Sequence, residues 1–131
     1  YTRIHMDLTA DGVIDAADKA LELPRVSPWT YNAAVTYALD LGSLGATAWR
    51  IQYSHRDESP FTDSNSTFLS EVDLLDASVS YTPPGGRFKI SLYGRNLTDE
   101  DYEGAVTPLP FGTVRYLSKG RRYGVETSFS F

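Results

Sequence analysis

The sequence predicts an all-β fold, an antiparallel up-and-down sheet, on three observations. Apolar and polar residues alternate with a period of two over long runs, the signature of strands with one greasy and one wet face. Nine Tyr, six Phe and two Trp stand beside one Met, a composition that favours strands over helices. Short turns and long polar loops join these runs in strict alternation. Two architectures fit this pattern: an antiparallel up-and-down transmembrane β-barrel segment of about six strands, or a soluble β-sandwich with a polar outer face.

The first expected strand carries Ile4, Met6 and Leu8 against Arg3, His5 and Asp7, and a loop from about Thr9 to Ser27 follows. From Trp29 the odd positions read Trp29, Tyr31, Ala33, Val35, Tyr37 and Leu39, while the even ones are Thr30, Asn32, Ala34, Thr36 and Ala38. The stretch DLGS, Asp40 to Ser43, makes a short turn. Trp49, Ile51 and Tyr53 then oppose Arg50, Gln52, Ser54 and Arg56. Asp57 to Glu71 is rich in Asp, Ser and Asn and reads as a long loop. Leu75, Ala77, Val79 and Tyr81 form the next apolar face, PPGG at Pro83 to Gly86 turns the chain, and Phe88, Ile90 and Leu92 return it. Asn96 to Gly120 is a second long connection with room for a short hairpin, and the last strand runs to Phe131 with Tyr123, Val125, Thr127, Phe129 and Phe131 on one parity.

Composition narrows the function classes. At 41% hydrophobic and 22% charged residues the chain is not a disordered tail. A net charge of -5 without a basic face argues against nucleic acid as a partner. The absence of cysteine removes disulfides, thiolate catalysis and Cys-type zinc sites together. No G-x-S-x-G, P-loop or dinucleotide fingerprint occurs, so no enzymatic activity is expected. No apolar run approaches the roughly 18 residues of a membrane helix. The strands, however, read at about ten or eleven residues, the length that crosses a bilayer at a tilt. Aromatic residues at the ends of the apolar faces, such as Trp29, Tyr31 and Phe129, match the girdles of membrane barrels.

The stretch LYGRNLTDEDYEG, Leu92 to Gly104, followed by GRRYGVETSFSF at the end of the chain, resembles the C-terminal end of TonB-dependent outer-membrane receptors. Leu23 to Leu39, LPRVSPWTYNAAVTYAL, is similar to a proline-containing strand start of the same family, and the resemblance continues to Phe131. One departure is that Arg121 and Arg122 stand where the family commonly has Pro-Arg.

The resemblance implies a plugged barrel of about 22 strands in the bacterial outer membrane. It implies uptake of siderophores or other scarce nutrients, energised by the TonB complex through an N-terminal region outside residues 1–131; the alternative functions are a soluble β-sandwich module binding carbohydrate or calcium, and a truncated passive porin. Because bacterial barrels start at about eight strands, residues 1–131 are expected to be the C-terminal part of one, open by themselves, with the plug and earlier strands elsewhere. Outer-membrane lipid is then a partner of the apolar face. Asn96, Leu97, Thr98, Asp99 and Tyr102 carry the family motif, whose Asn96, Thr98 and Asp99 can bond backbone amides and end a strand. Tyr123, Phe129 and Phe131 carry the implied assembly signal, read by the barrel-assembly machinery, and Phe131 also suits an interfacial anchor.

The stretch DLTADGVIDAAD nearly fits a calcium loop. Asp7, Thr9 and Asp11 fall at positions one, three and five, Gly12 at six, Asp15 at nine and Asp18 at twelve. Thr9 replaces the usual Asp or Asn, and Asp18 is shorter than the usual bidentate Glu. An acidic loop without an ion is the alternative, and no other cofactor is expected. The two histidines, His5 and His55, are placed on polar faces as solvated side chains. Among loop residues, Phe61, Phe68, Tyr102, Phe111 and Arg115 are the candidates for touching a substrate.

Overall fold

Three strands of 11 residues do form where the period-two pattern is cleanest: β1 (Thr30–Asp40), β2 (Ala46–Arg56) and, after two short strands, β5 (Val72–Thr82). The short strands β3 (Ser59–Pro60) and β4 (Phe68–Leu69) pair with each other inside the first long connection. β6 (Phe88–Arg95) and β9 (Arg122–Phe129) follow the expected positions, and between them β7 (Glu103–Leu109) and β8 (Gly112–Leu117) make the hairpin for which the sequence left room. A five-residue helix, α1 (Ala16–Ala20), precedes β1. The structure, a computed structural model, describes residues 6–130.

The long strands form one antiparallel sheet in the order β1-β2-β5-β6-β9, a meander apart from the excursions of the loops. Neither β1 nor β9 pairs with a further strand among the described residues, so the sheet is open at both edges. Of the expected first strand, Ile4 lies outside the described residues. Met6 to Leu8 is not strand, because the Leu8 and Thr9 amides bond the Asp18 side chain instead of a neighbouring strand.

The chain divides into two compact units, one holding the described parts of Tyr1–Thr30, Arg56–Glu71 and Tyr102–Ser118, the other Tyr31–His55, Val72–Asp101 and the described part of Lys119–Phe131. The second unit is the sheet. Its register puts like with like: Val79, Leu92 and Val125 form one row across three strands, and Ser80, Ser91 and Glu126 form the next row on the opposite face. Directly paired antiparallel residues share a face, so the apolar parities of all three strands coincide.

That apolar face is uncovered. Val35 is 73% exposed, Trp49 54% and Val125 62%, whereas the buried apolar side chains among the described residues are Pro60, Leu69, Val72 and Val106. In a sandwich a second sheet would bury this face. At about 3.3 Å per residue an 11-residue strand is about 36 Å long, and at a tilt of about 40° it rises about 28 Å, close to the apolar height of a membrane barrel.

Two connections at one end of the sheet are tight. In the first, the Asp40 carboxylate accepts from Gly42 N–H at 2.8 Å, and the Tyr81 hydroxyl donates to Leu44 C=O at 2.7 Å. Gly45 sits at φ 97°, and a Cβ there would strike the Thr82 carbonyl oxygen. The second is the Pro83–Pro84–Gly85–Gly86 turn, closed by Gly86 N–H to Pro83 C=O at 3.2 Å. All long connections leave from the other end of the strands.

Candidate functional site

The polar face of the sheet offers a shallow cavity of about 170 Å³ lined by Arg50, Gln52, Asp76, Ser78, Tyr93 and Arg95, among others. Period-two alternation delivers these groups: each neighbours an apolar residue that the pleat turns to the opposite side. Arg50 donates to Gln52 Oε1 at 2.8 Å and to Thr36 Oγ1 at 3.4 Å, while the Arg95 guanidinium lies 5.8 Å from the Tyr93 ring centroid. Arg95 is paired in register with Arg122 on β9. Two like charges directly opposite one another destabilise a sheet slightly, so this rim has a positive bias in an acidic chain.

Above the cavity the family motif forms a knot at the end of β6. Asn96, 5% exposed and at φ 51°, donates its N–H to Asp76 Oδ1 at 2.9 Å. Its side chain brackets Glu100, donating to the C=O at 2.8 Å and accepting the N–H at 2.9 Å. Leu97 N–H donates to Leu75 C=O at 2.8 Å. Thr98 differs from expectation: its hydroxyl donates to the Asp73 carbonyl at 3.2 Å rather than accepting from an amide. Asp99 accepts Arg121 N–H at 2.9 Å and the Arg121 guanidinium at 3.2 Å. A proline at 121 would have no N–H to give, so the departure from Pro-Arg supplies a bond of its own. Tyr102 belongs to the other unit, half-buried, where its C=O accepts Ser118 N–H at 2.8 Å.

On β9, Tyr123 and Phe129 project from the apolar face, 70% and 68% exposed. Phe129 faces Phe88 at 4.9 Å between ring centroids. Phe131 lies outside the described residues. Two glycines opposite aromatic residues lock β6 to β9. Tyr123 is paired with Gly94 and its ring covers that glycine on the apolar face; Tyr93 is paired with Gly124 and covers it on the polar face. These are the ring-over-glycine pairs by which sheets keep curvature without leaving backbone bare.

His55 corrects the sequence reading. It shares the odd parity of Trp49 and Ile51, and its ring stacks on Tyr31 at 4.7 Å. Asp73 Oδ1 lies 2.7 Å from His55 Nδ1 and accepts the Tyr53 hydroxyl at 2.6 Å. Amphipathic rings with polar partners at the loop end of an apolar face have the chemistry of an interfacial girdle. His5 lies outside the described residues.

In the loop unit, the acidic stretch is a hydrogen-bonded turn. Asp18, fully buried, accepts from the amides of Leu8 at 2.7 Å, Thr9 at 3.0 Å and Asp15 at 3.0 Å. These bonds, that of Asp15 foremost, hold its carboxyl below the ordinary range. Asp15 in turn caps α1 by accepting Ala17 N–H at 2.7 Å, so Asp15 and Asp18 form a reciprocal capping box. Asp7 accepts the amides of Asp11 at 3.2 Å and Gly12 at 2.8 Å, with Thr9 Oγ1 at 3.4 Å, and Asp11 accepts Val13 N–H at 2.9 Å.

The substrate-facing candidates separate. Phe111, at the tip of the β7–β8 hairpin, is 90% exposed. Arg115 is committed to the buried Glu103, whose other oxygen accepts Ser70 N–H at 3.2 Å. Phe61 lies under the Arg25 guanidinium at 4.6 Å, and Phe68 is half-buried in β4. Sequence reasoning missed Asp76 and Tyr93 as partners of Asn96 and Gly124, because each link depends on cross-strand register.

Comparison with known proteins agrees with this architecture. The family model described as TonB dependent receptor-like, beta-barrel matches residues 1–97. The ferric yersiniabactin uptake receptor FyuA from Yersinia pestis has a similar crystal structure, with a TM-score of 0.80 at 23% identity over 87% of this chain. The chain spans 18% of the length of that receptor. No curated protein matches the sequence. With the matched family model covering most of the chain and the open antiparallel sheet fitting one wall of such a barrel, the protein belongs to the TonB-dependent receptor β-barrel family.

Proposed function

We propose that these residues form the C-terminal wall of an outer-membrane receptor that takes up siderophores or other scarce nutrients, energised through TonB. The observation that carries the reading is the division of one sheet into an exposed apolar face and a polar wall holding Arg50, Gln52, Tyr93 and Arg95. The first suits outer-membrane lipid and the second a plugged, polar lumen. Long connections at one end suit the extracellular mouth, tight turns the periplasmic side. TonB contact belongs to a region outside residues 1–131. The aromatic final strand, with Tyr123, Phe129 and Phe131, is proposed as the segment handed to the barrel-assembly machinery. The likeness to FyuA, an uptake receptor, supports a transport role.

The test is uptake of a ferric siderophore by cells producing the full-length protein, with fractionation of their membranes. Outer-membrane recovery and uptake abolished by collapsing the proton-motive force are expected. Uptake that persists without that force would make the protein a passive pore.

Calcium is proposed for the acidic loop through Asp7, Thr9 and Asp11, which the Gly12 turn draws together, with Asp15 and Asp18 holding the loop in shape. Millimolar calcium should then slow proteolysis at this loop in the full-length protein, and an unchanged rate withdraws the proposal.

A further inference from the structure

The loop end of the apolar face holds a cluster that an interfacial girdle does not require. Tyr53 and His55 stand two residues apart on β2 and share a face, and Asp73 on the neighbouring β5 meets both. One oxygen, Asp73 Oδ1, accepts the Tyr53 hydroxyl at 2.6 Å and lies 2.7 Å from His55 Nδ1. Asp73 is the one acidic residue on the apolar parity of the five strands of the sheet. A carboxylate on such a face is costly unless its charge is matched. Among the described residues no Lys or Arg pairs with it. Its ion-pair partner there is His55, and a neutral imidazole brings no charge.

The donor set and its spacing select the missing charge. An imidazole nitrogen beside carboxylate and hydroxyl oxygens favours a first-row transition ion over magnesium or calcium, which take oxygen ligands. Donors around an ion with bonds of about 2.1 Å lie about 3.0–3.4 Å apart, so these contacts need open by only about 0.3–0.8 Å to admit one. Tyr31 keeps the two rings in place, stacking on His55 at 4.7 Å and lying 6.0 Å from the Tyr53 ring centroid. The Asp73 side chain is 42% exposed and that of His55 12%, so the group is entered through the carboxylate while the imidazole is packed. An ion here replaces the proton between Nδ1 and Oδ1 and neutralises the carboxylate.

We propose that Tyr53, His55 and Asp73 bind a divalent transition-metal ion such as zinc, which ties β2 to β5 at the loop end of the sheet. The site goes beyond the receptor reading and does not depend on it.

The test is calorimetric titration of the full-length protein in detergent micelles, stripped with a chelator, with zinc alone as the probe and magnesium as the control. Zinc should bind and magnesium should not. His55→Gln and Asp73→Asn should each weaken zinc binding at least about 10-fold, the loss that removing even an outer partner of a ligand causes. Tyr53→Phe, which keeps the ring and loses one donor, should weaken it less. Glu126→Gln, on the polar wall, should leave zinc affinity within about twofold. Zinc should also raise the unfolding temperature of the wild type and leave that of His55→Gln unchanged, a difference that a merely structural histidine would not produce. Heat-modifiable migration on gels checks that each variant is folded. Failure of zinc to bind, equal binding of magnesium, or unchanged zinc affinity in both His55→Gln and Asp73→Asn overturns the proposal.

Discussion

Replacing Asn96 by Ala should destabilise the full-length protein by about 2–4 kcal/mol. The side chain is nearly buried and holds both the N–H and the C=O of Glu100, at 2.9 and 2.8 Å. Losing those bonds leaves two partly buried backbone groups short of partners, at about 1–3 kcal/mol for a fully buried group and less where water reaches them. The backbone adds a second contribution. Asn96 sits at φ 51°, a left-handed conformation that alanine adopts at a cost of about 1 kcal/mol and asparagine more easily. Asn96→Gly separates the two, because glycine takes the conformation freely while still losing the bonds; it should be about 1 kcal/mol milder than Asn96→Ala. Asn96→Asp keeps the acceptor and loses only the donation to Glu100 C=O, so it should be mildest. Urea unfolding in lipid or detergent, followed by tryptophan fluorescence, measures the series. If Asn96→Ala and Asn96→Gly both lie within about 0.5 kcal/mol of wild type, the motif does not clamp the strand end and the reasoning fails.

Gly124→Val should cost about 1–3 kcal/mol, because the new side chain meets the Tyr93 ring, and Tyr93→Ala in the same protein should recover part of the loss; strict additivity in this double-mutant cycle would deny the contact. Val125→Lys on the apolar face should cost about 2–4 kcal/mol or block assembly, whereas Glu126→Lys on the polar face should assemble normally; the opposite ranking would invert the faces. Glu103 is held down to about 2, first by Ser70 and then by Arg115, against an ordinary value of 4.5. Its folded form therefore binds fewer protons than the unfolded form, and its stabilising contribution, complete above about pH 5, is lost as pH falls towards 2. Proteolysis of the β7–β8 hairpin should accelerate over that window in wild type and change less with pH in Glu103→Gln; identical profiles would remove Glu103 from this role.

The family motif shows how far sequence reached into the site. Asn96 and Asp99 were readable as strand-ending residues because an Asx side chain bonding nearby amides is a local event. Their longer links, from Asn96 N–H to Asp76 and from Asp99 to Arg121, join residues about 20 positions apart, and no local pattern marks those partners. The acidic stretch makes the same point from the other side. Its spacing matches a calcium loop, but spacing does not report which acceptor each carboxylate takes, and Asp18 takes three amides. His55 was misplaced on a polar face although its odd number already put it with Trp49 and Ile51; its ring contact with Tyr31 makes the assignment unambiguous.

By itself the sequence determined which residues form the long strands and which face each side chain takes, since the period of two is set within a strand by its own pleat. Exposed aromatics on one parity and arginines on the other carried that information as far as the barrel class. Only the tertiary structure decided what lies opposite what: Tyr93 over Gly124, Arg95 beside Arg122, and the Asp73 carboxylate shared by Tyr53 and His55. Those arrangements come from strand register and from the folding of long connections, where partners distant in sequence meet and where hydrogen bonding must be satisfied group by group.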